Sequence, residues 1–528
     1  MMTTAQATTN DRREIFGWAM YDWANSAFST TIGSVFLGPY VAGLATTVAK
    51  ADFLARTGAE WTEASSQSLV VNFLGLPVAP EAVIPFAISL SVVFQAGFLP
   101  ILGAIADYSH RRKQMLQLFA GIGAIATVAM FFVTLNTWAL GPILFVIANL
   151  SFGAALVFYN AYLPDIASEE ERDRVSSYGF AMGYLGGFIL LALNLVLYLL
   201  HEKFGISEEL SVRINLASAG IWWLAFSTVT WQRLRSRHAA HAIPAGENLL
   251  SVAFKQLSNT MEIPAKAIAF YLLSPLFIFI WAPLITPFIT QLINSNQMDA
   301  ELAILPVFIP LFGPIILLVA FLRNKARTTP ETSKYLTAYL IYNDGIQTVI
   351  AVASTFAAAP LIRGGLELSQ QILIAVILLI QFVAFFGALA WGKLANRIGA
   401  KQAIIVSLAI WAGVVIYAYG GMKGDSRTIE FIVLGAVIAL VLGGSQAISR
   451  SLFSQMIPKS REAEFFSIYE ISERGTSWLG TLVFGIAVTV FGNLRIAILA
   501  LIFFFVVGLL ILPFVNTNKA MDDAKKQS

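Results

Sequence analysis

Gly103–Gln114 reads GAIADYSHRRKQ, and Gly392–Gln402 reads GKLANRIGAKQ. Each string follows one long apolar stretch and precedes another. Gly103 aligns with Gly392 and Asp107 with Asn396, both at an offset of 289 residues. Further on, Pro164 aligns with Pro458, Leu185 with Leu479 and Gly186 with Gly480, at an offset of 294. Towards the start of each half, Asp22, Asn25 and Ser26 correspond to Asp344, Gln347 and Thr348. The order of these matches along the chain predicts a duplication: two six-helix repeats in parallel, related by an axis along the membrane normal.

The rest of the chain agrees with a membrane setting. Of 528 residues, 57% are hydrophobic and 12% charged, against roughly 25% charged in an ordinary soluble domain. A spanning helix needs about 20 mostly apolar residues, because lipid offers no partner to an exposed peptide group. That window gives about fourteen helices in an all-α fold, arranged six, two and six. The domains expected are a tail at 1–14, a first bundle at 15–232 with an outside loop at 45–83, and a linker at 233–266. An inserted hairpin at 267–322, a second bundle at 335–515 and a disordered charged tail at 516–528 follow.

Charge sets the orientation. With both termini cytoplasmic, the inside loops and tails hold 24 of the 34 Lys and Arg, the bias expected of cytoplasmic loops. The polar, uncharged segment Met1–Asn10 does not read as a cleavable signal peptide. The formal net charge of +3 and the scattered basic residues argue against a nucleic-acid partner. Cysteine is absent, which excludes disulfides and thiolate metal sites.

Three longer strings are more specific: YDWANSAFSTT at Tyr21–Thr31, YNDG at Tyr342–Gly345, and GGSQAISRSLFSQMIP at Gly443–Pro458. With the Gly103–Lys113 loop, they resemble the vacuole-effluxer-like family (autophagy-related amino-acid effluxers) of the major facilitator superfamily. The resemblance implies a major facilitator fold and a secondary active transporter working by alternating access. It also implies a small-molecule substrate, with amino-acid efflux as one option, and a proton or other gradient as driving force. A monomer in a cell membrane, the inner one in a prokaryote, is the expected form. The inserted pair, rich in proline from Pro275 to Pro314, departs from the family pattern.

Candidate residues follow from polar groups inside apolar spans. Asp22, Asn25, Ser26, Ser29 and Thr30 fall at i, i+3, i+4, i+7 and i+8, one face of a helix. Asn343, Asp344, Gln347 and Thr348 repeat the stripe. These groups bind substrate or protons if the face lines a cavity; the other reading makes them caps and interhelical glue. Glu470 and Arg474, four apart, form an intrahelical pair or join Glu473 in transport, with Glu473 a candidate proton carrier. Gln446 and Arg450 are read as gating residues, or Arg450 as an arginine snorkelling to the interface. In the duplicated loops, Gly103, Gly392, Asp107, Arg111 and Arg112 suit a conformational latch, the alternative being simple topological anchors. Trp23 is a weaker ligand candidate.

Enzymatic readings lack a catalytic constellation. Gly387–Leu394, GALAWGKL, falls one residue short of a phosphate-binding loop and ends a span, so primary ATP-driven transport is not expected. Of four histidines only His238 and His241 lie close, in the linker, so no metal or other cofactor is expected. A transport-inactive receptor or scaffold on a carrier fold is the remaining alternative.

Overall fold

In the computed structural model, residues 9–526 are described except 63–69, 74–75, 79, 81–82, 108–110, 237–247, 274–283, 285–318, 321–322, 325–326, 460, 476–479, 481–482, 485–486, 488–490 and 492. Asp11, whose side chain accepts from the Arg13 N–H, caps α1, Arg12–Ala27. A π-helical segment, Phe28–Phe36, links α1 to α2, Leu37–Thr57. Widening the helix frees carbonyls, and hydroxyls occupy some of them: Thr30 donates to Ser26 O (2.8 Å) and Ser34 to Ser29 O (3.0 Å).

The first half continues with α3, Val83–Asp107; α4, Arg112–Ala129; α5, Leu140–Asn160; α6, Arg172–Leu199; and α7, Glu208–Arg233. Two short helices follow, α8 at Leu249–Met261 and α9 at Ala265–Leu273. The second half holds α10, Pro330–Ala358; α11, Gln370–Ile398; α12, Ala400–Gly420; and α13, Arg427–Gln455. It ends with α14, Glu462–Gly475; α15, Leu494–Ala500; α16, Ile502–Ile511; and the tail helix α17, Thr517–Lys526.

Among the described residues, eight helical stretches are long and apolar enough to cross a membrane, and nine with the bent pair Val83–Val92 and Gly97–Ala106. The helices α7 and α10 are also long, but polar side chains that face inward dilute their apolar windows; Asn215 and Asp344 are both buried. Fourteen spans are therefore not what the described residues give, and the inserted pair at 267–322 lies largely outside them.

Helices α1, α6 and α7 pack together, as do α3 with α5 and α4 with α5 and α7. In the second half α11 packs on α12 and α13, and α10 on α16. The halves meet along two crossings, α3 on α14 and α6 on α11, with α13 also against α6. Within each half the first helix is tied to the fourth: the Trp18 indole donates to Tyr159 O (3.0 Å), and the Tyr335 hydroxyl donates to Ser449 O (2.9 Å).

Three regions expected to be irregular contain helix or strand among their described residues. The outside loop at 45–83 starts as helix to Thr57 and then forms a hairpin, Val71–Phe73 antiparallel to Leu76–Val78. Its helical part is held by Ala45, Ala49 and Phe53, buried four residues apart, a stripe masked by intervening charges such as Lys50 and Asp52. The linker at 233–266 contains α8, capped by Asn248 and burying Val252, Ala253 and Leu257. The tail expected to be disordered is helical: Asn516 Oδ1 accepts from Lys519 N (3.0 Å), and Ala520 and Ala524 are buried. Two alanines one turn apart are too faint an apolar signal to mark a helix in sequence.

Candidate functional site

Asp22 lies on α1 and Arg450 on α13, so their contact joins the two halves. The guanidinium approaches Asp22 Oδ2 at 3.4 Å, and the Tyr159 hydroxyl donates to the same oxygen at 2.7 Å. Arg450 is only 2% exposed, which rules out the snorkelling reading. It also donates to the Ser176 hydroxyl (2.9 Å), Ser176 O (2.9 Å) and Asn160 Oδ1 (3.2 Å). Its plane sits over Trp18, Tyr159 and Phe180, at 4.9, 5.7 and 4.2 Å. Desolvating an ion pair is costly, and the cost is offset by the acceptors around the guanidinium, by the Tyr159 hydroxyl on the carboxylate and by aromatic faces that attract a cation. Gly179 makes the room: a Cβ there would lie 2.7 Å from Asp22 Oδ2 and 3.1 Å from an Arg450 nitrogen.

The network extends to Glu470, also buried, whose carboxylate accepts from Asn160 Nδ2. Glu473 and Arg474 share helix α14 with it, and their side chains lie outside the described residues. Gln446, one turn before Arg450, accepts from the Tyr184 hydroxyl (3.1 Å), again across the halves.

Asp344 occupies the matching place on α10 and has different surroundings. It is 1% exposed. Its carboxyl faces the Gly480 backbone amide, and among the described residues no side chain hydrogen-bonds to either oxygen. A Cβ at Gly480 would sit 2.1 Å from Thr348 Oγ1 and 3.3 Å from Asp344 O. Gly183 makes the same contacts in the first half, 2.8 Å to Ser26 Oγ and 3.3 Å to Asp22 O. Gly183 is thus the spatial counterpart of Gly480; Gly186, its match in the sequence alignment, packs on the Trp23 backbone instead. Asn25 and Asn343 are buried beside the acids, while Ser26 and Gln347 are half-buried.

A second layer of contacts joins the halves at the loops. Arg112, 5% exposed, reaches Asp165 Oδ2 (3.3 Å) in its own half and Glu462 Oε2 (3.2 Å) in the other. Arg172 donates to Ser454 O (2.9 Å). Gly103 and Gly392 mark the two crossings. A Cβ on the first would meet Ala463 O at 2.5 Å, and on the second Ser177 Oγ at 2.7 Å. Arg111 is exposed. The Asp107 side chain lies outside the described residues, so the anionic partners seen on Arg112 are Asp165 and Glu462. The sequence reading missed Tyr159, Asn160, Ser176, Gly179 and Glu462. Of these, only Asn160, a polar residue inside an apolar run, left a signal.

Two duplicated helical bundles, joined by buried polar contacts on one side, define a transporter of the major facilitator class. The proton:xylose symporter XylE superposes with a TM-score of 0.60 at 12% identity, covering 96% of this chain and 94% of its own. FucP, in the outward conformation, gives 0.55 at 10% identity, over 96% of this chain and all of that one. By sequence, the chain belongs to the vacuole effluxer Atg22-like family, matched over residues 10–282 and 316–525. It is 26% identical to the Bacillus subtilis MFS-type transporter YxiO over 97% of this chain and 96% of the relative. It is likewise 26% identical to autophagy-related protein 22 of Yarrowia lipolytica, over 84% and 76%. The protein is a multi-pass membrane transporter, not an enzyme.

Proposed function

We propose that this chain is a gradient-driven carrier of a small solute in which Asp344 carries the coupling proton and Asp22–Arg450 gates the path. Supporting the first assignment is one observation above the rest: Asp344 is buried with no cation beside it among the described residues. A carboxylate in that position is tolerated only when its charge is cancelled, and a proton is the smallest group that does so. Asp22 has Arg450 as counter-ion instead, and separating the two lets the halves part. Glu470 extends the gate through Asn160, and Glu473 and Arg474 belong to the same helix.

The mechanism is rocking of one bundle against the other around a central site. Arg112, Glu462 and the close packing at Gly103 and Gly392 hold the basic-loop side shut in this conformer. That side is cytoplasmic, both termini lie there, and the carrier works as a monomer. Amino acids leaving the compartment are the substrate class we favour, in keeping with the family's description as vacuole effluxer-like.

Purified protein in vesicles loaded with an amino-acid mixture tests this. An imposed pH gradient drives efflux of at least one amino acid in the wild type, and Asp344→Asn abolishes it while the variant still folds. Flux indifferent to the gradient refutes proton coupling; no flux of any solute favours a receptor or scaffold on a carrier fold.

A further inference from the structure

Outside the duplicated bundles lie two short helices with matching positions. The helix α8 follows the first half after the end of α7 at Arg233, and α17 follows the second half after Phe514. Each packs on its own half: α8 on α3, with Val252, Ala253 and Leu257 buried, and α17 on α10, with Ala520 and Ala524 buried. Each also touches the opposite half. Gln256 Nε2 donates to Glu464 Oε2 at 2.8 Å, and Lys525 Nζ pairs with Glu169 Oε2 at 3.1 Å.

The acids at the far ends belong to equivalent loops. The offset that aligns Pro164 with Pro458 carries Glu170, next to Glu169, onto Glu464. Each helix overlies one of the two crossings. Beside α17 lies a cavity of ≈ 540 Å³ between the halves, lined by Glu169, Glu170 and Asp173 from one and by Lys401, Thr517 and Met521 from the other. The root of α17 is fixed by Lys401 Nζ, which donates to Val515 O (3.1 Å), and by Glu331 Oε2, which accepts from Asn516 N (2.8 Å).

We infer that α8 and α17 are a duplicated pair of straps: each is anchored on its own bundle and fastened to the other, and both must unfasten before the basic-loop side opens. The firmer strap is α8, because Glu464 is 1% exposed. In α17 the fastening pair is 59% and 43% exposed, and exposed ion pairs are weak.

The natural absence of cysteine makes the test direct. Ala106 and Ala395 lie three residues beyond Gly103 and Gly392 and are both buried. Ala106→Cys and Ala395→Cys, made singly in the full chain, report opening by their rate of alkylation with a membrane-permeant maleimide. Gln256→Ala raises the rate about ten-fold, for loss of a bond to a buried charge; Lys525→Glu raises it up to about five-fold, the scale of an exposed pair. Straps on a rigid-body motion raise both reporters together, and Glu169→Lys with Lys525→Glu returns the rate towards wild type. A rise only at the adjacent reporter means local cover and overturns the inference. So does an unchanged rate in Gln256→Ala, in Lys525→Glu and in a chain ending at Asn516.

Discussion

Asp22 and Asp344 descend from one position in a duplicated helix, and the fold has given them opposite surroundings. Asp22 is held between Tyr159 and Arg450, the latter from the other half. Asp344 packs with Thr348 against Gly480 and has no counter-ion among the described residues. The packing of the two stripes is alike, since Gly183 and Gly480 each let a partner helix approach the acid-bearing one. What differs is the counter-ion: Asp22 meets an arginine from α13, and Asp344 meets no cation among the described residues. Duplication fixes packing more tightly than it fixes charge, and the proposed roles, a lock at Asp22 and a carrier at Asp344, rest on that difference.

That contrast can be broken most severely at Arg450. Arg450→Ala strands Asp22 as a buried, uncompensated charge and costs about 3–5 kcal/mol, read as a large fall in melting temperature of the purified protein. Asp22→Asn combined with Arg450→Gln recovers much of the loss, whereas an equal fall in the double variant would mean that Arg450 acts through packing alone. Tyr159→Phe removes one donor to a charged oxygen and costs about 1.5–3 kcal/mol, a smaller fall in the same assay.

Gly103→Ala and Gly392→Ala probe the crossings rather than the acids. Overpacking of this kind costs about 1–3 kcal/mol, and the first is the worse because its Cβ meets backbone, Ala463 O at 2.5 Å, whereas the second meets a side chain, Ser177 Oγ at 2.7 Å and Cβ at 2.8 Å. Both substitutions favour the form open on the basic-loop side, measured by alkylation of a single introduced cysteine; the reverse ranking would place the tighter crossing at α6 and α11. If Asp344 carries a proton as proposed, Asp344→Asn is the mildest for stability, within about 0.5 kcal/mol of wild type, since an amide of similar shape takes the acid's place. A fall as large as that of Arg450→Ala would reveal a charged Asp344 and erase the contrast.

Much of the architecture was legible in the residues. Apolar runs, basic loops and the ordered matches between the halves lead to a duplicated all-helical membrane protein, because the bilayer imposes a length and an apolarity on every span. Regions outside that constraint were misread. The extension of α2 past residue 45, the linker helix α8 and the tail helix α17 depend on short stripes such as Ala520 and Ala524 that only a neighbouring surface makes meaningful. The stripe beginning at Asp22 was also legible, but its partners were not. Ser176 and Gly179 carry no chemical signal, and their part in the Arg450 network exists only because α6 and α13 cross there.

Residue order alone establishes a duplicated membrane chain with two carboxylates inside apolar helices. Which carboxylate meets a cation emerges from the folded packing, since Asp22 and Arg450 are 428 residues apart along the chain and 3.4 Å apart in space. Hydropathy and periodicity are local properties of a chain, whereas the charge balance of a buried site is set by whichever distant side chains the packing brings against it.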